Sequence, residues 1–194
     1  MRLTKEQAAE NRRHILETAG RLFRERGFDG VGVADLMKEA GFTHGGFYNH
    51  FDSKEALAAE VIAGALGSAN AALAGELRQS RARAWKRFIE HYLSLEHRDD
   101  PASGCTVAAL AADASRQGPE VKASFTCGFE EVLGIITDHL AETTPDVSPA
   151  ARREQAVRLW SEVVGAVVLA RAVAESNPRL SKEILDTSRR KLLG

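Results

Sequence analysis

Residues 31–54, VGVADLMKEAGFTHGGFYNHFDSK, constrain this chain more than any other stretch. Val33, Leu36, Met37 and Ala40 recur at helical spacing, so a short helix can bury them on one face. Gly41 follows, where a helix end favours a residue that tolerates a left-handed backbone. Thr43 then offers a side-chain oxygen to cap a second helix. Phe47 and Phe51 fall one helical turn apart there and share a core face, leaving His44, Gly45, Tyr48 and Asn49 to point elsewhere. Two short helices about a Gly-containing turn make a helix-turn-helix pattern. Such a unit can place its second helix in the major groove of DNA. Gly45 and Gly46 each cost a helix roughly 1 kcal/mol against Ala. A purely structural helix does not want them in tandem, whereas a helix that must approach DNA closely can use small residues.

Charge gives this reading no support. Formal net charge is −1, and residues 1–52 hold eight basic and eight acidic side chains. DNA binding therefore rests on the motif, without a general basic field. Hydrophobic content of 44% and charged content of 27% are ordinary for a globular chain with a sizeable core. The polar N-terminus lacks the apolar run of a secretory signal, and no long uninterrupted apolar stretch predicts a membrane span. The expectation is a cytoplasmic protein with no membrane partner. The two cysteines do not make a disulfide framework.

Three motifs together carry a family resemblance. They are F-x-x-x-G-F from Phe23 to Phe28, A-G-F-T-x-G-x-F-Y-x-H-F from Ala40 to Phe51, and Ser53-Lys54-Glu55-x-Leu57. In order, spacing and residue type they resemble the N-terminal domain of TetR (tetracycline-repressor) family transcriptional regulators, over about residues 10–60. Gly32 stands where that family often has a Ser or Thr cap, and Gly is an acceptable cap. The resemblance implies an all-α protein: a three-helix helix-turn-helix DNA-binding domain, residues 1–52, and a larger helical regulatory and dimerisation domain, residues 53–194. It also implies a homodimer closed by the last two helices, a double-stranded DNA operator as partner, and release by a small-molecule effector. On the same basis Thr43, His44, Tyr48, Asn49 and His50 are expected at the DNA. Phosphate contacts are assigned to Thr43, Tyr48, His50 and Lys54, and base-edge contacts to His44, Gly45 and Asn49. Arg2, Lys5, Arg12 and Arg13 are weaker candidates for the DNA backbone, since a charged helix start is usually just solvated.

The rest of the chain reads as helices. Thr4 with Gln7 makes a capping box ahead of the stripe Ile15, Ala19, Leu22 and Phe23, and Gly27 closes that helix. Ser53 caps a long helix that fades into an Ala-rich run near Leu73 and Leu77. Further helices are expected over 81–98, 105–116, 119–142, 149–176 and 181–193. The helix over 149–176 is apolar on more than one face, which asks for burial on two sides. The family resemblance places an effector cavity among these C-terminal helices. Its candidates are Trp85, Phe88, Tyr92, Cys105, Leu110, Phe125, Phe129, Leu133 and Trp160, which equally suit a filled core.

Cys105 and Cys127 read first as two buried small hydrophobes. A redox- or electrophile-sensing thiol is the sharper alternative, and a dimeric protein-interaction module is the alternative from another class. His91 and His97 miss the register of a helical metal pair, so no metal site is expected. The chain has no phosphate loop, nucleophile elbow or paired CxxC, so neither an enzyme nor a cofactor is expected.

Overall fold

The structure, a computed structural model, describes residues 4–79 and 81–194. Arg2 lies outside them. Regular structure among the described residues is entirely helical: α1 (Lys5–Arg26), α2 (Val33–Glu39), a 3-10 helix (His44–Asn49), α3 (Lys54–Gln79), α4 (Arg81–Tyr92), α5 (Leu95–Asp99), α6 (Thr106–Ala114), α7 (Pro119–Thr143), α8 (Pro149–Val173) and α9 (Pro178–Leu193).

Local chemistry explains the first boundaries. The Thr4 hydroxyl accepts from the Gln7 amide while the Gln7 side chain accepts from the Thr4 amide, so the capping box is complete. At the end of α2, Phe42 N–H bonds to Met37 O at 2.8 Å and Gly41 N–H to Lys38 O at 3.1 Å. That is a Schellman closure, and it holds Gly41 at φ +78°. Ser53 caps α3 through the Ala56 amide at 2.9 Å.

Other boundaries depart from the sequence expectation. The second helix of the helix-turn-helix is 3-10 rather than α, and Thr43 gives it no side-chain cap. Its first turn is closed by Thr43 O accepting from Gly46 N–H, and the Gly pair supplies little helix propensity to extend it. The helix expected over 81–98 is broken after Tyr92. Ser94 starts α5 by accepting from the His97 amide, and the His97 ring bonds back to Tyr92 O. The segment expected over 149–176 ends at Val173, and the last helix begins at Pro178 rather than Ser181. Asn177 caps it through the Leu180 amide, with Pro at the first helical position.

α1, α2 and the 3-10 helix pack as one helix-turn-helix unit. Ile15, Leu22, Phe23, Phe28, Leu36, Met37 and Phe47 form its core, each at most 1% exposed. α3 leaves this unit and runs into the C-terminal helices, packing on α1 at one end and along α7 for the rest. By composition α3 is long and apolar enough to cross a membrane, yet Leu57, Val61, Ile62, Leu66 and Leu73 are buried inside the protein. α8 lies against α7 and α9. It buries Ala156, Trp160, Val163 and Val167, and turns Val157, Val168 and Leu169 outward.

The α3–α7 crossing is close because Gly128 lacks a side chain. A Cβ there would lie 2.6 Å from the Leu66 side chain. Gly128→Ala should therefore overpack the crossing and cost about 1–3 kcal/mol. Urea unfolding checks this: the midpoint falls while the slope stays constant.

Candidate nucleic-acid interface and inner cavity

The 3-10 helix sorts its side chains cleanly. Phe47 is fully buried, 5.6 Å from the Phe51 ring, while Tyr48 is 63% exposed. Thr43, His44, Gly45 and Asn49 are also exposed, and His50 is half-buried. The Tyr48 ring stands edge-on to Phe47 at 5.2 Å and to His44 at 6.2 Å, so it projects from a fixed base. No atom lies within 4 Å of a Cβ built on Gly45, and one on Gly46 meets only ordinary contacts. Internal packing therefore does not require glycine at either position. Lys54, by contrast, is half-buried and its ammonium donates to Phe28 O.

Basic side chains of α1 are largely answered within the fold. Arg12 pairs with Glu60 on α3 at 2.5 Å, and its guanidinium lies 4.6 Å from the Phe51 ring centroid. Arg13 pairs with Glu10 and Glu17, and Arg21 with Glu25 and Glu39. Lys5 remains exposed at the helix start.

A cavity of about 390 Å³ opens between α3, α4, α6, α7 and α8. Four effector candidates line it: Phe88, Tyr92, Cys105 and Trp160. The other five lie elsewhere. Leu110 and Leu133 are core, Phe125 and Phe129 are half-buried against the core, and Trp85 stacks on Phe88 and His139. Sequence reasoning overlooked Arg24, Asn70 and His97, which also line the cavity. Asn70 had a signal: it is the polar member of the buried stripe Leu66, Asn70, Leu73 and Leu77. Its side-chain amide donates to Gly128 O at 2.9 Å and to Glu131 at 2.8 Å.

The wall at the α5–α6 connection is wired through His97. Cys105 N–H donates to His97 Nε2 at 3.0 Å, so the ring proton sits on Nδ1 and bonds to Tyr92 O at 2.7 Å. Burial holds the His97 pKa below its usual value. Nε2 is thus engaged by the backbone of Cys105 rather than by its thiol. Arg171 of α8 donates to the carbonyls of His97 and Arg98 at 2.7 and 2.9 Å. Burial raises the Tyr92 pKa well above its usual value, and the nearby Cys105 adds to this. The expectation of two buried cysteines needs correcting: Cys105 is half-buried and Cys127 is exposed. Cys127 lies on the outer face of α7, one residue from the buried Gly128.

Comparison with known proteins agrees with this geometry. Residues 15–61 match the family described as "Bacterial regulatory proteins, tetR family". The HTH-type transcriptional repressor NemR of Escherichia coli strain K12 is 25% identical over 134 residues, 68% of this chain and 67% of NemR. The crystal structure of its reduced form superposes with a TM-score of 0.76 at 25% identity, covering 94% of this chain and 95% of that one. A TetR-family regulator from Agrobacterium tumefaciens shares the fold with a TM-score of 0.79 at 20% identity, covering 95% and 96%. The chain carries a TetR-family DNA-binding domain over residues 15–61. It is a DNA-binding transcriptional regulator, as its relatives are. TetR-family regulators bind operators as dimers and respond to small-molecule ligands.

The His97 wiring has a pH signature. A histidine whose pKa is depressed on folding stabilises the fold above its unfolded value of 6.5, and that stability is lost as pH falls through the folded pKa. Protonating Nε2 also breaks its bond from Cys105 N–H. Unfolding free energy should therefore decline below pH 6.5, before the carboxylates titrate. His97→Gln should flatten that decline, as measured by denaturant melts across the range.

Proposed function

We propose that this chain is a homodimeric repressor that binds a pseudo-palindromic operator and is released by a small molecule in the inner cavity. The reading divides the chain at 52/53, with residues 1–52 engaging DNA and 53–194 sensing and dimerising, and it belongs in the cytoplasm. One observation carries it: Arg24 of α1, the first helix of the helix-turn-helix unit, lines the cavity and donates to Ala102 O at 2.6 Å. Effector site and DNA unit thus share a side chain. A ligand that favours a different seating of α1 releases DNA in proportion to its differential affinity for the two states.

The DNA assignments are supported by exposure. Thr43, Tyr48 and His50 serve as phosphate anchors, and His44, Gly45 and Asn49 face the base edges. Lys54 joins the anchors only by sharing an ammonium already bonded to Phe28 O. Dimerisation is supported by the outward apolar residues of α8 and α9, with Leu169 59% exposed beside Val168 and with Leu180 nearby in sequence on the next helix. A two-fold pair of such faces sets two recognition segments against two half-sites.

Fluorescence anisotropy on DNA upstream of the chain's own coding sequence tests this. Binding should be sequence-specific and fall steeply with salt. Tyr48→Ala should weaken operator and unrelated DNA by a similar factor, roughly 3–10. Asn49→Ala should cost about 1–3 kcal/mol on the operator alone. A folded dimer with no operator binding at low salt would sink the reading.

A second reading is favoured by the position of Cys105, half-buried in the cavity wall at the N-cap of α6. In it the thiol itself is the sensor. On the first reading, alkylating the thiols leaves operator binding intact. Loss of binding on mild oxidation or alkylation, abolished by Cys105→Ser, would replace the first reading with the second.

A further inference from the structure

The cavity wall carries hydrogen-bond donors that the fold leaves unused. Tyr92 and Trp160 line it, each 5% exposed, and Trp160 Nε1–H has no hydrogen-bond partner among the described residues, while the Tyr92 hydroxyl lies beside Cys105. Polar groups buried to this degree normally find one. Arg24 lines the same space, half-buried. Its Nε is taken by Ala102 O, and it forms no ion pair among the described residues. Asp100 and Glu25 act on it only at a distance, and burial outweighs their field, drawing its pKa below the ordinary value. No Asp or Glu lines the cavity. His97 Nε2, an acceptor, is already filled by Cys105 N–H. The remaining surface is mostly apolar, and the rings of Phe88, Tyr92 and Trp160 lie within 6.1 Å of one another along it.

We infer that this cavity takes a ligand with a single anionic head, bound by the terminal nitrogens of Arg24, on an aromatic or aliphatic body that stacks against Phe88 and Trp160. The inference rests on the effector reading above and names the chemistry of the effector. An unpaired, partly desolvated guanidinium gains most from a carboxylate, which it can bind through two parallel N–H donors. The same head engages a side chain of α1, so the group that recognises the ligand is also the group that ties α1 to the 100–104 loop.

Two isosteric pairs test this on the full-length protein: 2-naphthoate against 2-naphthamide, and octanoate against octanamide. Calorimetry gives affinities, and quenching of tryptophan emission reports occupancy beside Trp160. Each carboxylate should bind at least about tenfold more tightly than its amide. Arg24→Gln should erase that preference while leaving the amides where they were, and Arg24→Lys should narrow it without removing it. If Arg24→Gln does not fold, as judged by circular dichroism, the wild-type preference and Arg24→Lys still decide. Equal affinity for acid and amide, no saturation by any of the four at millimolar concentration, or a preference that survives Arg24→Gln would each overturn the inference. Operator binding is measured in parallel on the same preparation. Retained operator binding alongside any of those outcomes discards the anionic ligand and keeps the regulator, whereas absent operator binding discards the regulator itself.

Discussion

Where α3 crosses α7, the Leu66 side chain packs against the bare backbone of Gly128, and Asn70 fastens its amide to the Gly128 carbonyl and to Glu131. Most of what this protein can do depends on that crossing. α3 packs on α1 at one end and along α7 for the rest, so it joins the helix-turn-helix unit to the C-terminal helices. At its start it is bound to the unit through Lys54 and the Arg12–Glu60 pair. At its middle it forms a wall of the cavity. A side chain at Gly128 would clash with Leu66 and disturb the packing on which both ends of α3 rest.

The second organising feature is the break after Tyr92. A continuous helix there would run past α8. Instead Ser94 restarts the chain, and the carbonyls released by the turn are collected by buried donors. Arg171 takes those of His97 and Arg98, the His97 ring takes that of Tyr92, and Ser181 accepts from Arg98 while donating to Ala170 O. The result is a rigid polar shelf beneath an aromatic cluster. Through the Tyr92 carbonyl it anchors the backbone from which the Tyr92 ring joins that cluster.

Much of this was legible in the sequence, and the part that was not has physical causes. The helix-turn-helix was readable because it is local: Gly41, the stripe from Val33 to Ala40 and the Phe47–Phe51 pair each act within a turn or two. The caps at Thr4 and Ser53 were readable for the same reason. Asn177-Pro178 carried an equally local signal and was passed over in favour of Ser181. The cavity was readable only in part. Phe88, Tyr92, Cys105 and Trp160 stood out as large or adaptable residues on C-terminal helices. Arg24 did not, because nothing near it in sequence announces that its guanidinium crosses to a loop some eighty residues later in the chain. Leu110 and Leu133 show the opposite failure, since periodicity separates apolar from polar faces but cannot tell a wall from a filled core.

Gly45 has open space where a Cβ would stand, and an ordinary backbone conformation. The fold therefore exercises no veto over a side chain at that point. Most residues that face a partner also answer to their own core, so a change there is taxed twice. At Gly45 the two accounts are separate. A relative carrying a larger residue at this position would keep its stability and alter only what its outer face meets. On the proposed reading, in which Gly45 faces the base edges, operator preference can change at this point while the scaffold behind it stays the same.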